Sequence, residues 1–227
     1  MKMHIVPMVA LALTVLVGCG GVVKCNADPD DVFGKHYTAS DFQIWKIVPC
    51  EEVEQMLIDA RLSDSLIWMD EDWSVWYSVN AEDTAAVGPA IRRCCRSRGW
   101  YQLWGKSMFD YGDVDVYTIY ILIGKPLFDG TAVANAWVDM EQDAPVVCVE
   151  FAKKYHETLR RFTGKNIGNG VAIRLGERVL FAPLIASQIA DGICMFEGRT
   201  EEECCALATL LTDKDRWVPP RDAIGCR

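Results

Sequence analysis

Chemistry at neutral pH needs a base, a nucleophile or a metal, and this chain offers few residues for any of them. Of its three histidines, His4 lies in the N-terminal apolar segment, which leaves His36 and His156. A hydrolase pairs a nucleophile with a positioned base, and neither G-x-S-x-G nor H-E-x-x-H occurs. His36 falls in an expected loop, and His156 falls on an exposed-looking helix beside Lys153, Lys154 and Arg160. Both are expected to be solvated surface residues. Ten cysteines are many for 227 residues, yet no C-x-x-C pair exists, so a zinc site is not expected. The adjacent pairs Cys94-Cys95 and Cys204-Cys205 fall on expected helices, where neighbours point to different faces. One member of each pair is therefore expected in the core.

The remaining polar signals read as structure. The acidic runs Asp28–Asp31, Glu51-Glu52, Asp70–Asp72 and Glu201–Glu203 lack the D-x-D-x-D-G spacing of a calcium loop. Tether, helix-start and turn roles account for them. Gly164, Gly168 and Gly170 form a glycine-rich turn after a helix, whereas phosphate loops precede one. That arrangement fits a helix end and a hairpin entry. No catalytic residue, cofactor or metal is expected. Trp45, Trp68, Trp73, Trp76, Trp100 and Trp104 crowd the first half. Core packing explains some of them, and an aromatic surface patch for extended polypeptide is the sharper alternative.

The whole-chain totals narrow the partners. With 51% hydrophobic and 24% charged residues the composition is ordinary for a globular protein. A net charge of −9 and a pI near 4.9 argue against nucleic acid, which needs clustered Lys and Arg.

Residues 1–19 read as a targeting segment, with Lys2 as a minimal charged start and an apolar run from Ile5 to Val17 too short to span a bilayer. Its end, Leu16-Val17-Gly18-Cys19, resembles the lipobox of bacterial lipoproteins. That resemblance implies lipidation at Cys19, and several acyl chains at about 0.8 kcal/mol per buried CH₂ make a stable anchor. Removing Cys19 from the ten cysteines leaves nine, so at least one thiol stays unpaired or pairs between chains. No later apolar run reaches 18 residues.

The elements that must position these residues follow from periodicity. Residues 20–40 are expected as a tether and 41–124 as an N-terminal α+β region. A strand is expected over Asp41–Val48, a helix opened by Pro49-Cys50-Glu51-Glu52 and running to about Arg61, and strands over Leu66–Met69 and Trp73–Val79. A helix from Asn80 to Arg98 carries Gly88-Pro89, which should kink or restart it. Strands over Trp100–Lys106 and Val114–Ile123 follow, joined by a turn at Met108–Asp113. Pro126-Leu127-Phe128-Asp129-Gly130 breaks the pattern and marks the expected boundary of a domain at 125–212. That half reads as strands at Ala132–Met140, with a bulge, and Val146–Phe151, then a helix at Ala152–Phe162. Next comes a hairpin over Val171–Pro183, whose Gly176-Glu177 centre fits a type II′ turn. A strand at Gly192–Phe196 precedes a helix opened by the capping box Thr200/Glu203. Residues 213–227 are expected as a tail. The fold class expected is α+β: small antiparallel or mixed sheets with helices packed on one face.

From Lys125 to Leu211 the chain resembles the head subdomain of the first periplasmic domain of SecD and SecDF, accessory proteins of the Sec translocon. The matching motifs come in order: Leu127-Phe128-Asp129-Gly130, Ala134-Asn135-Ala136, and Pro145-Val146-Val147-Cys148-Val149-Glu150-Phe151. Thr163, Asn166 and Gly168 follow, then Val171 through Pro183 with Ala172, and last Phe196, Gly198, Thr200, Glu202, Glu203, Leu207, Ala208 and Leu211. Ser74 to Ile123, with Glu82-Asp83-Thr84-Ala85, resembles the segment preceding the head in single-chain SecDF proteins of Bacteroidetes-type bacteria. The polar motif residues Thr163 and Asn166 are expected to be structural, bonding backbone where helix gives way to strand. Three departures stand out: the family's Asp-Gly turn is Gly176-Glu177, its Tyr-Ser is Leu180-Phe181, and Arg174 replaces an aliphatic residue.

The resemblance implies a polypeptide-binding or interaction module in Sec-dependent export. Its implied partners are translocon components or the emerging preprotein, with the membrane reached through the lipid anchor. SecDF is proton-driven through carboxylates on membrane helices, which the sequence to Arg227 does not contain, so no proton-pump activity is expected. A structural or surface lipoprotein reusing the fold for an unrelated partner is the alternative.

Overall fold

A computed structural model describes residues 23–62, 67–71, 74–106, 116–141, 144–197 and 200–212. Cys19, Gly198, the turn at 108–113 and the tail 213–227 lie outside the described residues. In chain order the elements are α1 (Pro29–Phe33), β1 (Phe42–Ile47), α2 (Cys50–Asp59), β2 (Ile67–Glu71), β3 (Ser74–Asn80), α3 (Ala81–Ser97), β4 (Trp100–Lys106) and β5 (Val116–Asp129). They continue with β6 (Val133–Glu141), β7 (Ala144–Phe151), α4 (His156–Lys165), β8 (Val171–Leu175), β9 (Arg178–Phe181), β10 (Ile193–Glu197) and α5 (Glu201–Leu211). Helices and antiparallel sheets make this an α+β fold.

Two units share the chain. Of the described residues, 44–127 and 170–182 form the first, and 23–43, 128–169 and 183–212 form the second. The expected contiguous blocks at 41–124 and 125–212 therefore do not describe the strand pairing. The hairpin β8–β9 joins the sheet of the first unit through β1, in the order β2-β3-β5-β1-β8-β9 with β4 on β5. Sheet pairing is set by hydrogen bonds between strands, which sequence distance does not restrict.

In the first unit α2 opens at Pro49, with Glu51 and Glu52 in the first turn where the helix dipole favours negative charge. Val53, Met56 and Leu57 recur at helical spacing and are buried. Helix α3 runs from Ala81 to Ser97 without restarting at Pro89, and Val87, Ile91 and Cys95 supply its buried stripe. Both helices pack on one face of the sheet, against Ile119 and Ile121, with Trp100, Trp104 and Ile123 at the margin. The two-residue period of β5 sends Tyr120 and Leu122 to the opposite face. There they meet Trp45, Ala172 and Ala182, with Ile47, Leu103 and Val179 partly buried beside them. Strands β4 and β9 approach each other, so the sheet curls around this second cluster.

β5 corrects the expected break at Pro126, because the strand runs through it to Asp129. The units nevertheless change along that strand, between Leu127 and Phe128. The register with β4 covers Tyr117 to Ile123 and ends before Pro126, so the proline's missing N–H costs that ladder nothing.

The second unit is built on the antiparallel sheet β10-β7-β6, with α5 packed on β6 and β7 and α1 packed on α5. The register of β6 against β7 shifts between Val133 and Asn135, the expected bulge. Within the stretch expected as a tether, residues 23–40 pack into the second unit. Asp28 caps α1 by accepting from Asp30 N–H at 3.0 Å, Phe33 and Tyr37 are buried, and a disulfide joins Cys25 to Cys205. Gly130 is required where the chain passes Ala39, since a Cβ there would collide with the Ala39 carbonyl. Thr200 caps α5 by accepting from Glu203 N–H at 3.1 Å. Cys204 and Cys205 are both buried, correcting the expectation of one core member, because α5 is packed on more than one side.

Candidate functional site

The motif residues Thr163, Asn166 and Gly168 meet at the end of α4 in the second unit. Thr163 is 2% exposed, and its hydroxyl donates to the Leu159 carbonyl at 2.9 Å while accepting from Ile189 N–H at 2.9 Å. Asn166 donates from Nδ2 to the Phe162 carbonyl at 2.7 Å. Gly168 has φ +81°, a left-handed value that favours glycine, and its N–H donates to the Ile185 carbonyl at 2.8 Å. Ile185 N–H returns to the Asn169 carbonyl at 3.0 Å. Pro183 is buried at the start of this return loop. The Thr163 hydroxyl and the backbone bonds of Gly168 and Asn169 to Ile185 pin the loop 183–189 to the helix end. The Thr163 hydroxyl is engaged as both donor and acceptor on backbone, and Asn166 commits one N–H to its own helix, which is a structural use of both side chains.

His156, expected as a solvated surface residue, is part-buried. Its Nε2 lies 2.8 Å from the Phe151 carbonyl, which can only accept, so this nitrogen carries the proton. The ring packs on Gly192, where a Cβ would collide with it. Proximity of β7 to the start of α4 puts it there, a tertiary effect that the neighbouring Lys153 and Lys154 hide. His36 is exposed, as its loop position implied, and its Nδ1 sits 2.9 Å from Asp30 Oδ2. That hydrogen bond, with the carboxylate's charge, raises the imidazole pKa above its ordinary value.

The buried thiols are poor nucleophiles. Burial pushes Cys95 up to about 11 and Cys148 up to about 12, and it raises Cys194 as well. Among the described residues no group of three or more His, Cys, Asp or Glu could hold a metal.

Ala172 is fully buried in the first unit, one residue from Ile173 and two from Arg174. Arg174 is half-buried, with its guanidinium carbon 5.6 Å from the Trp45 ring centroid. Its Nε donates to the Gly176 carbonyl at 2.7 Å and its Nη2 lies 3.7 Å from Glu177. Burial lowers its pKa, and the Glu177 charge partly offsets this. Trp45 stands edge-on to Tyr101 with centroids 5.6 Å apart, and Tyr101 is 55% exposed. The row Arg174–Trp45–Tyr101 thus presents one exposed aromatic ring braced from below. Reading the chain by its tryptophans missed Tyr101. Its signal was its place in β4, out of phase with the helix-facing Trp100 and Trp104.

Residues 108–213 match the family model described as SecDF, P1 head subdomain. The protein translocase subunit SecDF of Thermus thermophilus is 32% identical over 99 residues, covering 43% of this chain and 14% of its own length. The translocase subunit SecD of Thermobaculum terrenum is 30% identical over 92 residues, 40% of this chain and 18% of its own. SecD of Acidaminococcus fermentans is 30% identical over 106 residues, 46% and 24% respectively. The chain thus spans at most 24% of the length of these relatives. A SecDF crystal structure in a super-membrane-facing form aligns with a TM-score of 0.38 at 18% identity, covering 75% of this chain and 28% of that one. A second SecDF structure aligns at 0.37 and 17%, covering 75% and 92%.

Proposed function

We propose, from the SecDF P1 head subdomain at residues 108–213, that this protein is a lipid-anchored envelope module of Sec-dependent export. In this reading it contacts polypeptide or translocon components, catalyses no reaction and does not convert proton flow into movement. The head subdomain is the observation that carries the reading, because the relatives sharing it are translocase subunits. Its similarity links the chain to protein export. The anchor is assigned to Cys19, and no helix among the described residues is long and apolar enough to cross a membrane.

The contact surface we assign is Tyr101 with Trp45 and Arg174 behind it. An amphipathic ring held by packing loses little conformational freedom when it meets a partner, which suits recognition of varied chains. The non-enzymatic reading is supported by the Thr163 hydroxyl, engaged on backbone as both donor and acceptor, and by thiols held protonated by burial.

The test is photocrosslinking from a benzoylphenylalanine at position 101 in the membrane-anchored protein. Adducts with SecYEG, SecDF or nascent exported chains are expected. Adducts confined to unrelated envelope or surface partners would instead support a lipoprotein that has reused the fold.

A further inference from the structure

Strand β6 ends the sheet order β10-β7-β6, and two segments far apart in sequence cover its outer edge. Val23 N–H donates to the Val138 carbonyl at 3.0 Å. The Thr212 hydroxyl donates to the Ala136 carbonyl at 2.7 Å and accepts from Ala136 N–H at 3.1 Å. A hydroxyl has one donor and two lone pairs, so it can serve both groups at once. Left bare, such groups template the addition of another strand.

The disulfide joins these same two segments. Cys25 lies two residues after Val23, and Cys205 lies on α5, the helix that ends beside Thr212. Cys25 is part-exposed whereas Cys205 is buried, so a thiolate arriving from solvent meets the Cys25 sulfur. Residues 23–27 are half-buried or exposed throughout. The ordering entropy of five such residues outweighs the net worth of the Val23–Val138 bond. Beyond them Asp28 caps α1, and Phe33 and Tyr37 are buried, which anchors the chain without the crosslink.

We propose that Cys25–Cys205 is a redox clasp. Intact, it holds residues 23–27 on the edge of β6; reduced, it frees that segment as far as Asp28 while α1 and α5 stay packed. The reductant is a dithiol. Its first thiolate attacks the Cys25 sulfur, the Cys25–Cys205 bond breaks, and Cys205 leaves as a thiolate that takes a proton. The second thiolate attacks the reductant's own sulfur in the mixed disulfide and releases Cys25, which is protonated. The protein gains two thiols, and the dithiol is oxidised by two electrons to a disulfide.

Hydrogen exchange with mass spectrometry on the full chain, with and without dithiothreitol, tests this. Peptide mapping of the untreated protein should yield Cys25 linked to Cys205. Reduction should speed exchange of the Val23 amide, whose N–H the clasp holds on the Val138 carbonyl, at least tenfold, with α4 unchanged. Cys25→Ser should match the reduced protein without any reductant. The clasp is overturned by absence of the linked peptides or by unchanged exchange at Val23. It is equally overturned if exchange rises everywhere including α4, which would make the disulfide a staple of the whole unit.

Discussion

His36 and Thr163 bracket what single side chains do in this protein. His36 gains a partner in Asp30 and its folded pKa rises, so the favourable interaction is fully present below the ordinary value of 6.5. It is lost as pH climbs through the raised folded value. Both groups are solvated, so the effect on stability is small. Titration followed by NMR of the ring should place His36 above its ordinary value, and Asp30→Asn should bring it back. Thr163 is the opposite case, buried and bonded twice. Thr163→Val keeps the shape but removes the acceptor for Ile189 N–H. An unmade buried bond costs about 1–3 kcal/mol. Urea unfolding of the variant should show a loss in that range; a loss under a few tenths would mean the loop 183–189 does not depend on the hydroxyl.

At the scale of elements, local signals carried far. The acids at the start of α2, the Thr200 cap of α5 and the span of β4 all read from the chain as the structure has them. In the hairpin, Gly176 has φ +57° while Glu177 is not in the left-handed region, the pattern of a type II′ turn and not type I′. Thr200→Ala should cost about 1 kcal/mol by loss of the cap, seen as a lower urea midpoint with the slope unchanged. Two prolines show how the fold accommodates an interruption. Proline at 89 sits inside a helix secured by Val87, Ile91 and Cys95, and proline at 126 sits in a strand beyond its ladder with β4.

The whole molecule poses the question of attachment. If Cys19 carries the lipid, only residues 20–24 separate it from Cys25, which the disulfide ties to α5. At about 3.3–3.6 Å per residue the reach from Cys19 to Cys25 is at most about 22 Å. The second unit is then held close to the bilayer, not lifted on a long tether. Labelling with a clickable palmitate analogue should mark the native protein in cells and leave Cys19→Ser unmarked; equal labelling of the two would remove the lipobox assignment.

Much of this protein is written in its periodicity. Strand and helix spans, the burial of alternate residues, the caps and the order of head motifs from Leu127 to Leu211 depend on neighbours within a few positions, and the chain displays them directly. Pairing between distant strands does not depend on such neighbours. That β8 joins β1, that Cys25 meets Cys205, that His156 turns inward onto Gly192, and that Arg174 backs Trp45 and Tyr101 were all decided in three dimensions. Hydrogen bonds and packing select partners by proximity in the fold, and a linear sequence carries no record of that proximity.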